Sequence, residues 1–237
     1  SASGGKSRGS SRTYNRRSSS ALGFTGIVYG FRYRHIDRTT VKANRKQQIL
    51  EVLAVELESK PGLRITTAGL AQAVGVSEAA LYRHFASKAK MYEALIEFSE
   101  ESVFGLVGRI LEEQKDVEVR CFQIGTVMLK FAERNPGIAR LLMGDILLGE
   151  NERLRHRVAQ FFARLETQFN ELLRYWAATS HSQKSRADVA PIANLLMAVI
   201  SGRIAQFVRT DFRVSPCQYW DDQWRILSTA AFMQHAE

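Results

Sequence analysis

Thr66, Thr67, Ser77, Glu78, Ala79, Ala80, Tyr82, Arg83, His84 and Lys88 fall in one stretch, TTAGLAQAVGVSEAALYRHFASK, which runs from Thr66 to Lys88. Hydroxyls, one carboxylate, bare methyls, a phenol and cations in this order suit contact with duplex DNA. There, phosphate contacts fix position and base-edge contacts carry sequence. Glu78 can accept from cytosine N4, and the methyls of Ala79 and Ala80 can touch thymine. Tyr82, His84 and Lys88 suit phosphate oxygens, and Thr66, Thr67, Ser77 and Arg83 complete the candidate DNA-binding set. Nothing comparable suits catalysis. The histidines at 35, 84, 156, 181 and 235 are scattered, and none has a carboxylate or cysteine at metal-ligand spacing. No glycine-rich phosphate loop or strand–Ser–helix elbow occurs. Glu100, Glu101, Glu112 and Glu113 read as solvated helix faces. The expectation is a protein that is not an enzyme, with no catalytic residue, cofactor or metal.

The elements that position these residues are two short helices. Thr66 and Ser77 can each cap one, because a hydroxyl accepts from the orphan N–H groups of a first turn. Gly75 stands between them, where the chain must leave the first helix through a left-handed turn. Leu70, Ala71, Val74, Val76 and Leu81 supply small and apolar contacts that let the pair cross closely, and Ala71 leaves room for the crossing. The second helix, about Ser77–Phe85, buries Leu81 and Phe85 and turns its polar side outward. This is the pattern of a helix-turn-helix, whose second helix enters the major groove. A helical hairpin in an ordinary bundle has the same corner, so spacing alone leaves both readings open.

LYRHFASK closely resembles the end of the recognition helix in TetR-family regulators. There an aromatic, a histidine and a following lysine grip the phosphate backbone, which corresponds here to Tyr82, His84 and Lys88. RITTAGLAQAVGVSEAALYRHFASK, MYEALIEFSEES, ERNPG at 133–137 and QFVRTDFRVSP at 206–216 are similar to the members of that family that act in nucleoid occlusion. The likeness runs from about Asn44 to the C-terminus, weakly over 150–190, and excludes the first forty-odd residues. It implies a homodimer that binds dispersed chromosomal sites and, when bound to double-stranded DNA, antagonises polymerisation of the division GTPase FtsZ. It also implies a partner groove between the fourth and fifth helices, with Phe98, Arg134 and Asn135 contacting FtsZ and Val127 as an apolar wall. An arginine that the family carries on the fourth helix is replaced by Leu106, with Arg109 the nearest substitute. Arg134 and Asn135 also suit a plain helix C-terminus and turn.

The chain has 237 residues, 45% of them hydrophobic, enough for a small DNA-binding module and a larger helical domain. Its net charge is +9, but nine cations against the single acid Asp37 precede residue 44. The rest is close to neutral, so DNA affinity there must come from a local patch. Residues 1–43 read as a disordered basic extension, with a salt-sensitive DNA-contacting arm as the other reading. Cys121 and Cys217 are isolated, which gives no disulfide framework. No apolar run approaches the ~20 residues that span a bilayer, and the expectation is a cytoplasmic, nucleoid-associated protein with no membrane contact.

The fold class is all-α: a three-helix helix-turn-helix module over 44–88 and a helical dimerisation and partner-binding domain over 89–237. Asn44 is the expected cap of a helix over Arg45–Ser59. Beyond the two short helices, expected segments are about Lys88–Glu113, Val117–Arg134, Pro136–Leu148, Asn151–Ala178, Asp188–Thr210 and Tyr219–Gln234. The segment Lys88–Glu113, the fourth helix of the chain, is long enough to couple the two domains mechanically. The last two are strongly apolar, which fits a four-helix interface with a twin or closure of the monomer's own core. The chief rival function is a repressor that releases DNA when a small-molecule ligand enters a cavity lined by Phe122, Met128, Phe131, Leu142, Met143 and Phe161, residues that equally suit a filled core. A third reading is an interaction protein whose helix-turn-helix no longer binds DNA.

Overall fold

Side-chain oxygens start most of the helices. Thr66 accepts from the Gly69 N–H, Ser77 from Ala80, Ser87 from Lys90, Asp116 from Val119 and Asn151 from Arg153. The computed structural model describes residues 45–60, 63–147, 149–180 and 189–232. In chain order these form α1 (Arg45–Ser59), α2 (Thr67–Val74), α3 (Glu78–His84), α4 (Lys88–Glu113), α5 (Val117–Arg134) and α6 (Pro136–Met143). A 3-10 turn (Asp145–Leu147) follows, then α7 (Glu152–Thr179), α8 (Val189–Arg209) and α9 (Trp220–Phe232). No strand occurs among the described residues, and the fold is all-α. The expected Asn44 cap and the basic extension lie outside the described residues.

The boundaries follow the sequence with two exceptions. The segment expected to run from Pro136 to Leu148 breaks at Gly144, whose φ of 84° ends α6, and resumes as the 3-10 turn. Tyr219, expected to open the last helix, has φ 61° and so cannot be helical; α9 starts one residue later.

α1 packs on α6, α4 lies against α5, α6 and α7, and α7 pairs with α8. The α1–α6 approach is backbone to backbone, since a Cβ on Gly137 would sit 2.0 Å from the Ala54 carbonyl oxygen. α6 also caps α1. The buried Arg140 donates through Nη1 to the carbonyls of Leu57 (3.0 Å) and Lys60 (2.8 Å), at the end where a helix leaves acceptors unpaired. Arg157 of α7 grips Glu100 of α4 with Nη2···Oε2 2.7 Å and Nε···Oε1 3.3 Å, while Arg164 lies 3.8 Å over the Phe104 ring.

By length and composition α8 is long and apolar enough to cross a membrane, contrary to the expectation that no segment is. Asn194, Ser201, Arg203 and Gln206 interrupt the apolar run in sequence without breaking the helix. Ala193, Leu196, Ile200, Ile204 and Phe207 of its inner side are buried, and α8 packs against α5, α6 and α7. Cys121 and Cys217 are free, and burial pushes both thiols up, Cys217 to about 12.

Candidate nucleic-acid interface and partner groove

The corner between α2 and α3 is built from local geometry. Gly75 adopts φ 77°, ψ 39°, and the N–H groups of Gly75 and Val76 return to the carbonyls of Gln72 (3.1 Å) and Ala71 (3.0 Å). A residue with a Cβ would strain there, so glycine fixes the turn. Leu70, Ala71, Val74 and Leu81 are buried between the helices, and Phe85 closes the end of α3. The opposite side of α3 is open. Ser77, Glu78, Ala79, Tyr82 and Arg83 are exposed, with Tyr82 at 44%, while Ala80 and His84 are half-buried. One face of one short helix therefore offers a carboxylate, methyls, a phenol and a guanidinium together.

Two of the expected contacts are engaged inside the protein. Thr67 donates its hydroxyl to Glu78 Oε2 at 2.9 Å, tying the head of α2 to the head of α3. Lys88 does not point into solvent: Nζ sits 2.5 Å from Glu150 Oε1, donates to the Ile65 carbonyl at 3.2 Å and lies 5.8 Å from the centre of the Tyr92 ring. Glu150 also faces Arg64, Nη2 to Oε1 3.9 Å, although the Arg64 side chain is 76% exposed. Arg64 and Glu150 were missed in the sequence. Arg64 stood in the quoted RITTAG, but the contact to Glu150 spans more than eighty residues and has no local signal.

The proposed groove residues divide by depth. Phe98 of α4 is half-buried and meets Phe131 of α5 with ring centroids 6.2 Å apart. Arg134 lies one turn beyond Phe131 and is also half-buried. Val127 is 1% exposed, so it belongs to the core and is not an accessible wall. Asn135 is buried at the α5–α6 junction, where its Nδ2 donates to the Phe131 carbonyl at 2.8 Å. Leu106 is buried, whereas Arg109, one turn further along α4, is half-buried. Of the residues suggested for a ligand cavity, Met128, Phe131, Leu142 and Phe161 are buried. Phe122 stacks on Trp220 with the rings 5° from parallel, and Phe161 meets Phe104 edge-on. Among the described residues no cluster of three or more metal-ligating side chains occurs.

A capped helix-turn-helix carried on a helical body by α1, α4 and α6 is the architecture of a tetR-type DNA-binding regulator. Family models agree: residues 49–95 match the bacterial regulatory proteins of the tetR family, and residues 115–231 match the SlmA-like type of tetracyclin repressor-like C-terminal domain. The chain is 53% identical over 186 residues to the nucleoid occlusion factor SlmA of Shewanella halifaxensis (strain HAW-EB4), covering 78% of this chain and 94% of that protein. The same figures hold for SlmA of Shewanella oneidensis. The chain belongs to the SlmA family of nucleoid occlusion factors, within the tetR regulators. Solved structures with the same fold include the ketosteroid regulator KstR2 of Mycobacterium tuberculosis (TM-score 0.65, 18% identity, 81% of this chain, 98% of that one). FadR of Bacillus subtilis, solved with stearoyl-CoA, is another (TM-score 0.61, 15% identity, 76% and 96%). At those identities the likeness is one of fold alone.

Proposed function

We propose that this protein binds dispersed chromosomal sites as a homodimer and, in the DNA-bound state, antagonises FtsZ polymerisation, keeping division septa off the nucleoid. The observation that carries the reading is 53% identity to SlmA proteins that runs through the DNA-binding module and the body alike. In this reading residues 44–88 form the DNA-binding unit and 89–237 the dimerisation and partner-binding unit, and the protein works in the cytoplasm on the nucleoid. Ser77, Glu78, Ala79, Ala80, Tyr82, Arg83 and His84 face the duplex, with Thr66 capping α2 behind them.

The twofold partner is assigned to the exposed apolar residues of α8 and α9. Leu195 is 47% exposed and Ile226 72%, while Ala198 and Gly202 lie one and two turns along α8 from Leu195 and permit close helix approach. A dimer sets two recognition helices about 34–36 Å apart, one turn of duplex. The FtsZ site is assigned to Phe98 and Arg134, with the buried Asn135 and Val127 behind them. Its dependence on DNA is linkage: the state that DNA favours is the state FtsZ binds better.

A chromosome-wide occupancy map in growing cells tests the function. Many dispersed sites outside promoters, sparse near the replication terminus, support it; one or two sites beside a single operon overturn it. For the groove, Arg134→Glu should abolish FtsZ co-sedimentation while duplex affinity stays within about twofold. Equal loss of both removes the assignment.

A further inference from the structure

Glu78 is the only acid on the outward face of α3 and stands in its first turn, where the helix dipole favours a carboxylate. Its sole hydrogen bond among the described residues is the one it accepts from Thr67, and it has no ion pair there. The exposed residues beside it on α3 are Ala79, one residue on, and Tyr82, one turn on; Arg83 is a further residue away. A carboxylate left unneutralised on a surface that meets phosphates is repelled by every duplex. That repulsion is recovered only where a base edge offers a donor, so such a group lowers affinity for wrong sequences more than for right ones.

Discrimination of that kind needs the carboxylate to be aimed. A free glutamate has three torsions to surrender on meeting a base, and a group that surrenders them in the complex gives up part of the difference between right and wrong partners. Here one oxygen, Oε2, is already held by a hydroxyl from another helix, and Oε1 is left uncommitted. The holding hydroxyl sits on the first residue of α2, directly after the Thr66 cap, where the backbone is fixed. Thr67 has a single proton to donate. While Glu78 takes it, that proton is not available to a phosphate.

We infer that Thr67 is a positioning residue for base reading, whose hydroxyl fixes the Glu78 carboxylate so that Oε1 accepts from an exocyclic amino group in the major groove, cytosine N4 first. The inference rests on the DNA-binding reading above and refines it, moving Thr67 from direct DNA contact to orientation of the residue that makes the contact.

The test uses the full chain and a duplex carrying its selected binding site, with each position varied through all four base pairs. Wild type, Glu78→Gln, Thr67→Val and Thr67→Ser are compared by titration, with thermal melting to check the fold. Glu78→Gln should flatten a preference on the order of tenfold at one position. Thr67→Val should flatten that same position by about three- to tenfold and leave discrimination elsewhere and the melting curve unchanged. Thr67→Ser, which keeps the hydroxyl, should restore it. Two results overturn the inference: Thr67→Val retaining the preference that Glu78→Gln loses, or Thr67→Val weakening all sequences equally, which is the signature of a phosphate contact. A wild type with no base preference at any position overturns the DNA-reading assignment itself, and the inference with it.

Discussion

Replacing Arg140 by methionine should destabilise the fold by about 2–4 kcal/mol. Arg140 is 3% exposed, and its Nη1 serves two carbonyls at the end of α1, Leu57 at 3.0 Å and Lys60 at 2.8 Å. Each charge-assisted bond is worth roughly 1.5–3 kcal/mol, and a cation at a helix C-terminus adds about 0.3–1 kcal/mol. Against that sum stands the desolvation of a buried guanidinium, which methionine does not bear, and methionine fills much of the same volume. The loss therefore falls below the simple total but remains a large share of the 5–15 kcal/mol typical of a folded domain. At about 2–4 °C per kcal/mol for a chain of this size, the melting temperature should drop by roughly 4–16 °C. Urea unfolding at fixed protomer concentration measures the energy, and hydrogen exchange locates it. Protection should fall first in the last turn of α1, with Arg140→Lys intermediate because a point charge replaces the fork. A loss under about 1 kcal/mol, or unchanged exchange in α1, would refute the view that α6 clamps α1 through this side chain.

Glu150→Gln should release Lys88 and Arg64 toward phosphate, since Glu150 Oε1 lies 2.5 Å from one and 3.9 Å from the other. Fluorescence anisotropy should show tighter duplex binding at low salt and a salt slope steeper by about one to two ions per protomer. An unchanged slope would mean that Lys88 stays out of DNA contact altogether. Burial, reinforced by Glu150 and opposed by Arg140 and Arg64, raises the Tyr92 phenol from 10.0 to about 12. Above pH 10 the unfolded chain releases this proton while the folded chain keeps it. The contribution to stability is thus intact below pH 10 and is lost as pH climbs to about 12, roughly 2.7 kcal/mol in all. Tyr92→Phe should shrink the difference in urea midpoint between about pH 9 and pH 11.5 relative to wild type; identical differences would place the alkaline loss elsewhere.

What was legible in the sequence is what depends on near neighbours. The Thr66 and Ser77 caps and the Gly75 turn each involve residues within five positions, so residue type and spacing were enough. Helix boundaries followed apolar periodicity, except at Gly144 and Tyr219. The first breaks an apolar run that shows no change of period; the second takes a left-handed conformation that an aromatic residue does not advertise. The contacts that redefine the site are all long-range. Thr67 meets Glu78 across the helix corner, Lys88 meets Glu150 from beyond α6, and Arg140 reaches back to α1. No periodicity encodes such pairings, because they exist only once the segments that carry them have packed together. The resemblance assigned Lys88 to phosphate, and only the packed fold shows that Glu150 holds it.

α4 has a further consequence as a mechanical gear. Its 26 residues form one helix without interruption, about 39 Å from end to end. A tilt of roughly 5° about the far end swings the near end by about 3.4 Å, the rise of one base step. In a dimer, two such levers turn a small rotation at the centre into whole base pairs of separation at the rim. An angular tolerance of a few degrees in the body thus sets which half-site spacings both halves can occupy at once.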